Sequence, residues 1–187
     1  MGKWIAIPLG IGIVVLVAFL SLAWIRGKRP LETGDRAPRV ALPALNSVSF
    51  PIHTGSGRVV IVNFWASWCP PCVEETPSLE KFAARMKPLG VRVVGVSVDQ
   101  DLSQLTNFIA SYRLTYPILR DPNQALAARW GTYKFPETYI FDRDGRLADK
   151  VIGATDWDSP SMIQFVTALV DWNKAGAPQQ AAAASNW

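Results

Sequence analysis

Short apolar runs separated by polar turns fill most of the chain after residue 38. Residues 59–65 and 91–98 are almost continuously apolar, which is typical of strands that are buried on both faces of a sheet. Period-two patterns and apolar runs predict further short strands at 40–42, 48–50, 116–119, 138–141 and 146–152. The pair Asp144-Gly145 between the last two runs is a strong hairpin signal.

Apolar residues at helical spacing predict helices over 71–86, 99–112, 123–130 and 160–173. In the second helix the inward residues are expected to be Leu102, Leu105, Phe108 and Ile109, and Asp99-Gln100-Asp101 is interpreted as its cap. Asn123 is expected to cap the third helix. This alternation predicts an α/β fold with a mixed sheet and helices on both faces, whose site lies beyond the carboxyl end of strand 59–65.

The first thirty residues differ from the rest, since no charged residue occurs from Trp4 to Ile25. At about 1.5 Å per helical residue, this stretch can span a hydrocarbon core of about 30 Å. We therefore predict a retained membrane anchor with its flanks over 1–30, although Ser21-Leu22-Ala23 also fits a signal-peptidase site. A linker at 31–38, a folded domain at 39–174 and a disordered low-complexity tail at 175–187 are expected to follow.

The net charge of +4 belongs to the flanks of this apolar stretch. Four basic residues and no acid lie in residues 1–30, so the other 15 basic and 15 acidic residues cancel and nucleic-acid binding has no support. Arg26, Lys28 and Arg29 outnumber Lys3, which by the positive-inside rule would place the domain in the cytoplasm. The lack of any thiol outside one pair is compatible with export, so the sequence leaves the side of the membrane open.

The two cysteines of the chain, Cys69 and Cys72, lie in Trp68-Cys69-Pro70-Pro71-Cys72. They follow a buried strand and begin a helix, which is the setting of a thioredoxin-like redox site. A purely structural disulfide usually closes a longer loop. A zinc site needs about four ligands, and this pair with His53 supplies three at most.

Disulfide exchange needs one cysteine that ionises readily and a second that resolves the mixed disulfide. Cys69 lies at a helix N-terminus, where unpaired N–H groups and the positive dipole end stabilise its anion, so it is the predicted nucleophile. Cys72, one turn further on, is the predicted resolving thiol. Pro70 and Pro71 stiffen the ring between them, and no cofactor or metal is expected.

Residues 35–170 resemble the membrane-anchored, thioredoxin-like proteins of the TlpA/ResA/CcmG (DsbE) family. Residues 64–72 match the active-site stretch of that family, and Pro77 matches its helix proline. Residues 135–138 resemble the loop that carries its cis-proline, and 91–119 its central helix–strand insertion. The resemblance implies a thioredoxin-like α/β fold with a central insertion, preceded by one transmembrane helix.

The resemblance also implies roles for residues around the cysteines. Pro136 would be the cis-proline facing the site, Phe135 would contact substrate, and Trp68 would pack beside the pair. Asn63 replaces the buried aspartate of thioredoxin, and Glu75 and Glu137 fall where the family has acids near the thiols. The plainer alternatives are a solvated helix face for Glu75 and a strand-edge acid for Glu137.

The resemblance implies that the protein is a protein disulfide reductase. It would be a single-pass protein of the inner membrane, with its domain facing the periplasm or the cell exterior. Its partners would be protein disulfides such as those of apocytochrome c, or copper-site assembly proteins, together with a membrane thiol–disulfide electron donor. One alternative is a thiol peroxidase, but its Pro-x-x-x-Thr-x-x-Cys setting is absent. Another is a copper metallochaperone, which would need Cys-x-x-x-Cys and a histidine after His53.

Overall fold

The computed structural model describes residues 12–19, 29–38, 40–45, 47–52 and 54–172. The strands are β1 (Val40–Ala44), β2 (Ser47–Ile52), β3 (Val60–Trp65), β4 (Arg92–Ser97), β5 (Ile118–Arg120), β6 (Glu137–Phe141) and β7 (Leu147–Ile152). The helices are α1 (residues 12–19), α2 (Pro70–Met86), α3 (Leu102–Tyr112), α4 (Ala125–Trp130) and α5 (Pro160–Asp171), with a 3₁₀ turn at Lys87–Leu89.

The strands form one mixed sheet, as predicted, in the order β2-β1-β5-β4-β3-β6-β7. β3, β4 and β5 run parallel at its centre, while β6 and β7 add antiparallel on one side and β1 and β2 on the other. All six residues of β3 are buried, which explains its continuous apolar pattern. The carboxyl end of β3 leads directly to the cysteines.

Apolar side chains fill both faces of the sheet, as predicted. On one face α2, α3 and α5 contribute Phe82, Leu105 and Val166 to a cluster of buried residues. On the other face α4 contributes Trp130 to a second cluster of buried residues, and Leu31 packs against that cluster. Because parallel strands buried on both faces need cover on each, this layering follows from the apolar runs.

Two local predictions in the helices are wrong. Leu102 is exposed to 47%, because α3 begins at this residue rather than at Asp99 and only Leu105 and Phe108 are buried on it. Asn123 does not cap α4; instead Asp121 Oδ2 accepts hydrogen bonds from the backbone N of Leu126 at 3.0 Å and of Ala127 at 2.9 Å. Asp121 follows β5 directly and is buried, so its carboxylate reaches the first turn of the helix.

The segment predicted as a linker is hydrogen-bonded along the domain. The backbone N of Leu31 donates to the carbonyl O of Trp130 at 3.1 Å, that of Gly34 to Leu147 at 2.8 Å, and that of Ala37 to Gly145 at 3.1 Å. These bonds fix residues 31–37 along the domain.

The tail predicted at 175–187 lies outside the described residues, as does His53, and so does most of the anchor predicted at 1–30. Of the anchor stretch the structure describes the helix α1 and residues 29–30. Within the described part of the chain, no helix combines the length and the apolar character needed to cross a bilayer.

Candidate active site

The two cysteines form a disulfide at the start of α2. The backbone N of Cys69 donates to the carbonyl O of Ala66 at 3.3 Å, which closes a turn between β3 and the helix. Cys69 is the N-cap of α2, with extended backbone and no side-chain cap, and Pro70 occupies the first helical position. The Cys69 sulfur therefore lies at the helix N-terminus, as predicted, where the helix dipole favours its anion.

The two sulfurs differ in their access to solvent. Cys69 is 5% exposed and Cys72 1% exposed, so both are largely covered in the disulfide form and Cys72 is the more enclosed. The division between an attacking Cys69 and a resolving Cys72 stays a prediction, which the more enclosed position of Cys72 supports.

The loop before β6 meets Cys69 from across the sheet edge. The peptide bond between Phe135 and Pro136 is cis, as the resemblance implied. The Phe135 carbonyl O lies 3.4 Å from Cys69 Sγ. Trp68 is 58% exposed, and its ring packs edge-on against Phe135 with 6.4 Å between ring centroids. Trp68 and Phe135 thus border the reactive sulfur.

Glu75 lies on α2, three residues after Cys72, and is only 4% exposed. Its Oε1 accepts from Asn63 Nδ2 at 2.9 Å, and its Oε2 accepts from Trp157 Nε1 at 3.2 Å and from the backbone N of Thr155 at 3.3 Å. Burial raises the pKa of Glu75 to about 7, against the opposing effect of the bonds from Trp157 and Asn63. Glu75 is therefore a buried acid that titrates near neutral pH, not a solvated surface residue.

Glu137 is also fully buried, but its partners lie on the other face of the sheet. Its Oε1 pairs with Lys150 Nζ and accepts from the Tyr139 hydroxyl at 2.8 Å. Its Oε2 accepts from the backbone N of Tyr133 at 3.4 Å. Neighbouring side chains alternate along β6, so Thr138 points to the face of Asn63 and Glu75 while Glu137 points away from it. The effect of either acid on the thiols stays a prediction.

The fold and the cysteine site lie within the part of the chain that matches a known family model. The model described as Redoxin matches residues 32–164. The chain belongs to the Redoxin family. The matched range includes the cysteines, Glu75, the cis-proline loop and Glu137.

Comparison with individual proteins shows which kinds of thioredoxin-like protein this Redoxin protein resembles. The thioredoxin-like protein YneN of Bacillus subtilis (strain 168) is 31% identical over 157 residues, which are 81% of this chain and 90% of that protein. The thiol-disulfide oxidoreductase ResA of Bacillus thuringiensis (strain Al Hakam) is 27% identical over 126 residues, which are 67% of this chain and 73% of that protein.

Solved structures agree with this placement. A Chlorobium tepidum protein assigned as a thiol:disulfide interchange protein DsbE has a TM-score of 0.69 and 28% identity, and the match covers 75% of this chain and 99% of that one. A secreted Mycobacterium tuberculosis disulfide oxidoreductase has a TM-score of 0.58 and 25% identity over 70% of this chain and 93% of that one. This Redoxin protein is a thioredoxin-like thiol–disulfide oxidoreductase of the TlpA/ResA/CcmG group.

Three residues around the site of this Redoxin protein were not assigned to it from the sequence. Trp157 is fully buried and donates to Glu75, and Lys150 pairs with Glu137. Asp99 is 1% exposed and accepts hydrogen bonds from Ser67 in the turn before Cys69. Asp99 could have been found, because it lies two residues after β4, a strand parallel to β3, and the carboxyl ends of parallel strands share one edge.

Metal-binding side chains do not gather in the described residues: no group of three or more His, Cys, Asp or Glu is placed to hold an ion. The chemistry that this geometry supports is thiol–disulfide exchange at the two sulfurs. The Phe135 carbonyl lies against Cys69 Sγ, Trp68 packs on Phe135, and Glu75 lies on the same helix as Cys72.

Proposed function

We propose that this protein is a membrane-tethered reductase of protein disulfides that works outside the cytoplasm. The proposal rests mainly on the different positions of the two cysteines. Cys69 lies at the helix N-terminus beside Trp68 and Phe135, and Cys72 is the more enclosed of the two. A charged carboxylate disfavours a nearby thiolate. The carboxylate of the buried Glu75 is charged above neutral pH and would act in this way. A cysteine pair whose reduced form is less stable is a stronger reductant.

The reaction proceeds in two exchanges. The Cys69 thiolate attacks one sulfur of the substrate disulfide; that bond breaks, a mixed disulfide forms, and the released substrate sulfur takes a proton from water. Cys72 then loses its proton and attacks the Cys69 sulfur, which forms the Cys69–Cys72 disulfide and releases the second substrate thiol. Two electrons pass to the substrate, and a membrane dithiol donor returns two electrons by the reverse exchange.

The membrane part of the proposal is supported by the uncharged stretch from Trp4 to Ile25, which is long enough to span a bilayer. We infer a single-pass protein of the inner membrane whose domain faces the periplasm or the cell exterior. A membrane-impermeant thiol reagent applied to intact cells should then label Cys69 in the Cys72→Ser variant. Labelling that requires cell lysis would place the domain in the cytoplasm.

The direction of electron flow is tested by the reduction potential of the full-length protein, equilibrated against glutathione in detergent. A value near that of thioredoxin, about −270 mV, is expected for a reductase. A value near that of DsbA, about −120 mV, would identify an oxidant and reverse the proposal.

The substrate class is tested by trapping. The Cys72→Ser variant keeps the attacking thiol but has no resolving thiol, so it should accumulate mixed disulfides with its protein substrates. Cys69→Ser is the matched control and should trap few or none. An apocytochrome c peptide with an oxidised Cys-x-x-Cys-His segment is the substrate we propose, and failure to trap it while other proteins are trapped would exclude that substrate.

A further inference from the structure

Asp99 carries a buried carboxylate that takes no part in the two exchanges described above. It lies two residues after the end of β4 and is 1% exposed. Its two oxygens accept from the backbone N of Ser67 at 3.2 and 3.1 Å, and from the hydroxyls of Ser67 at 2.6 Å and Ser97 at 2.7 Å. The carboxylate is thereby bonded to the segment that joins β3 to the cysteine helix.

The directions of these hydrogen bonds show which groups donate protons to the Asp99 carboxylate. The backbone N of Asp99 donates to Ser97 Oγ at 3.0 Å, so the proton of that hydroxyl is directed to Oδ2 of Asp99. The backbone N–H of Ser67 can only donate. Each of these groups suits a negatively charged acceptor.

The charge of Asp99 is not balanced by a directly bonded cation. Arg120 Nη2 donates to the backbone carbonyl groups of Asp99 at 3.4 Å and of Gln100 at 3.3 Å. Within the described part of the chain, the ion pairs do not include the Asp99 carboxylate. Its negative charge is therefore held by neutral donors, close to the start of α2.

Ser67 connects this charge to the reactive cysteine. The bond from the Cys69 backbone N to Ala66 O closes a turn in which Ser67 is the second residue. Such a turn keeps its first and last Cα atoms within about 7 Å. Asp99 therefore holds, through the N–H and the hydroxyl of Ser67, the turn that presents Trp68 and ends at Cys69.

We propose that Asp99 is a positioning residue for disulfide exchange, which fixes the turn carrying Trp68 and Cys69 and whose charge favours the disulfide over the dithiol form of the pair. A negative charge destabilises a nearby thiolate, and a less stable reduced form means a lower reduction potential. The inference rests on the proposed reductase function, to which it adds a source of reducing power outside α2. The other buried carboxyl groups of the described residues are Glu75 on α2, Glu137 on β6 and Asp121 after β5.

The decisive variant is Asp99→Asn in the full-length protein, which keeps an acceptor for Ser67 and removes the charge. Its equilibrium with glutathione should shift about tenfold towards the dithiol, which corresponds to a potential about 30 mV more positive. Asp101→Asn is the matched control, because Asp101 Oδ1 also accepts from the backbone N and the hydroxyl of a serine, Ser103, but at an exposed helix cap. Its shift should stay below about twofold.

The Ser67→Ala variant distinguishes an effect of the Asp99 charge from an effect of the loop structure. This variant keeps the Asp99 charge but removes its 2.6 Å hydroxyl donor, so the thiolate is disfavoured further. The equilibrium should shift about twofold towards the disulfide, opposite in sign to Asp99→Asn. A loop that is merely loosened would shift both variants in the same direction.

Several results would overturn the role of Asp99: an unchanged potential in Asp99→Asn, an equal shift in Asp101→Asn, or shifts of the same sign in Asp99→Asn and Ser67→Ala. If Asp99→Asn does not fold, Ser67→Ala decides, and a shift towards the dithiol or no shift refutes the inference. The absolute potential of the unmodified protein tests the reductase function separately, because the difference between variants does not depend on it.

Discussion

Asn63 Nδ2 donates a hydrogen bond of 2.9 Å to Glu75 Oε1, which joins the central strand to the helix of the cysteines. The same amide nitrogen donates to Thr138 Oγ1 at 2.9 Å on the neighbouring strand. Asn63 cannot accept a proton, but it holds in place a carboxyl group that can. Glu75, the acid predicted to act on the cysteine pair, therefore lies on the helix, and Asn63 on the strand holds it in place.

Glu75 makes stability depend on pH. Its pKa is raised from the usual 4.5 to about 7 in the folded protein, so the folded state retains a proton that the unfolded state has lost between these values. Stability should therefore be highest below about pH 4.5 with respect to this group, and should fall by about 3 kcal/mol as pH rises to about 7.

Urea unfolding of the oxidised protein at several pH values measures this effect. Glu75→Gln should remove the fall in stability between these pH values. The exposed neighbour Glu74 is the control, and Glu74→Gln should leave the fall unchanged. An identical pH profile in Glu75→Gln and the unmodified protein would contradict the assignment.

Trp68 should contribute to recognition of protein substrates more than to folding. It is 58% exposed and contacts Phe135, so its truncation leaves little buried surface unfilled. Trp68→Ala should change the free energy of unfolding by less than about 0.5 kcal/mol. It should lower kcat/KM for a protein disulfide about tenfold, mainly through KM, as expected for loss of an exposed aromatic contact.

The matched control is Trp172→Ala, which removes another exposed tryptophan, at the end of α5. Its kcat/KM for the protein disulfide should match that of the unmodified enzyme. A small aromatic disulfide should be reduced by Trp68→Ala at nearly the normal rate. Equal losses on both substrates would instead indicate damage to the thiol chemistry.

Lys150 should be important for stability because it neutralises a buried acid. The side chain of Glu137 is 0% exposed and that of Lys150 is 19% exposed. Lys150→Met leaves Glu137 as an unpaired buried charge, which should cost about 3 kcal/mol or more in denaturant unfolding. The double variant Lys150→Met with Glu137→Gln should recover part of this loss, since no charge is then left buried.

An exposed ion pair provides the comparison. Arg85 Nη1 lies 3.0 Å from Asp158 Oδ1, with the side chains 54% and 31% exposed. Arg85→Met should cost no more than about 1 kcal/mol, because water screens this pair. A loss in Lys150→Met as small as that in Arg85→Met would show that Glu137 does not depend on its partner.

Asp121 should stabilise the start of α4 in the place predicted for Asn123. Asp121→Ala removes the acceptor of two buried backbone N–H groups and should cost about 2 kcal/mol. Asn123→Ala, at an exposed position two residues later, should change stability by less than about 0.5 kcal/mol. Thermal unfolding of both variants checks this order, which reverses if Asn123 is the cap.

Local pattern was sufficient for the order of the elements and for the identity of the reactive pair. The period-two and helical repeats placed the strands and helices to within a few residues, because apolar spacing depends on each element's own geometry. The strand, Cys-x-x-Cys and helix arrangement likewise lies within one short segment. The helix ends were predicted less accurately. The residue that accepts hydrogen bonds from the first N–H groups of a helix can lie before the expected cap, as Asp121 does.

The sequence by itself determined the α/β class, the cysteine pair at a helix start and, with the family resemblance, the cis-proline loop. Only the tertiary structure decided which acids meet which partners: Glu75 contacts Asn63 and Trp157, 12 and 82 residues away, and Asp99 binds Ser67, 32 residues before it. The reason is physical. Strand order and crossovers bring these residues together, and no local repeat encodes the partner that a buried polar group finds across the sheet.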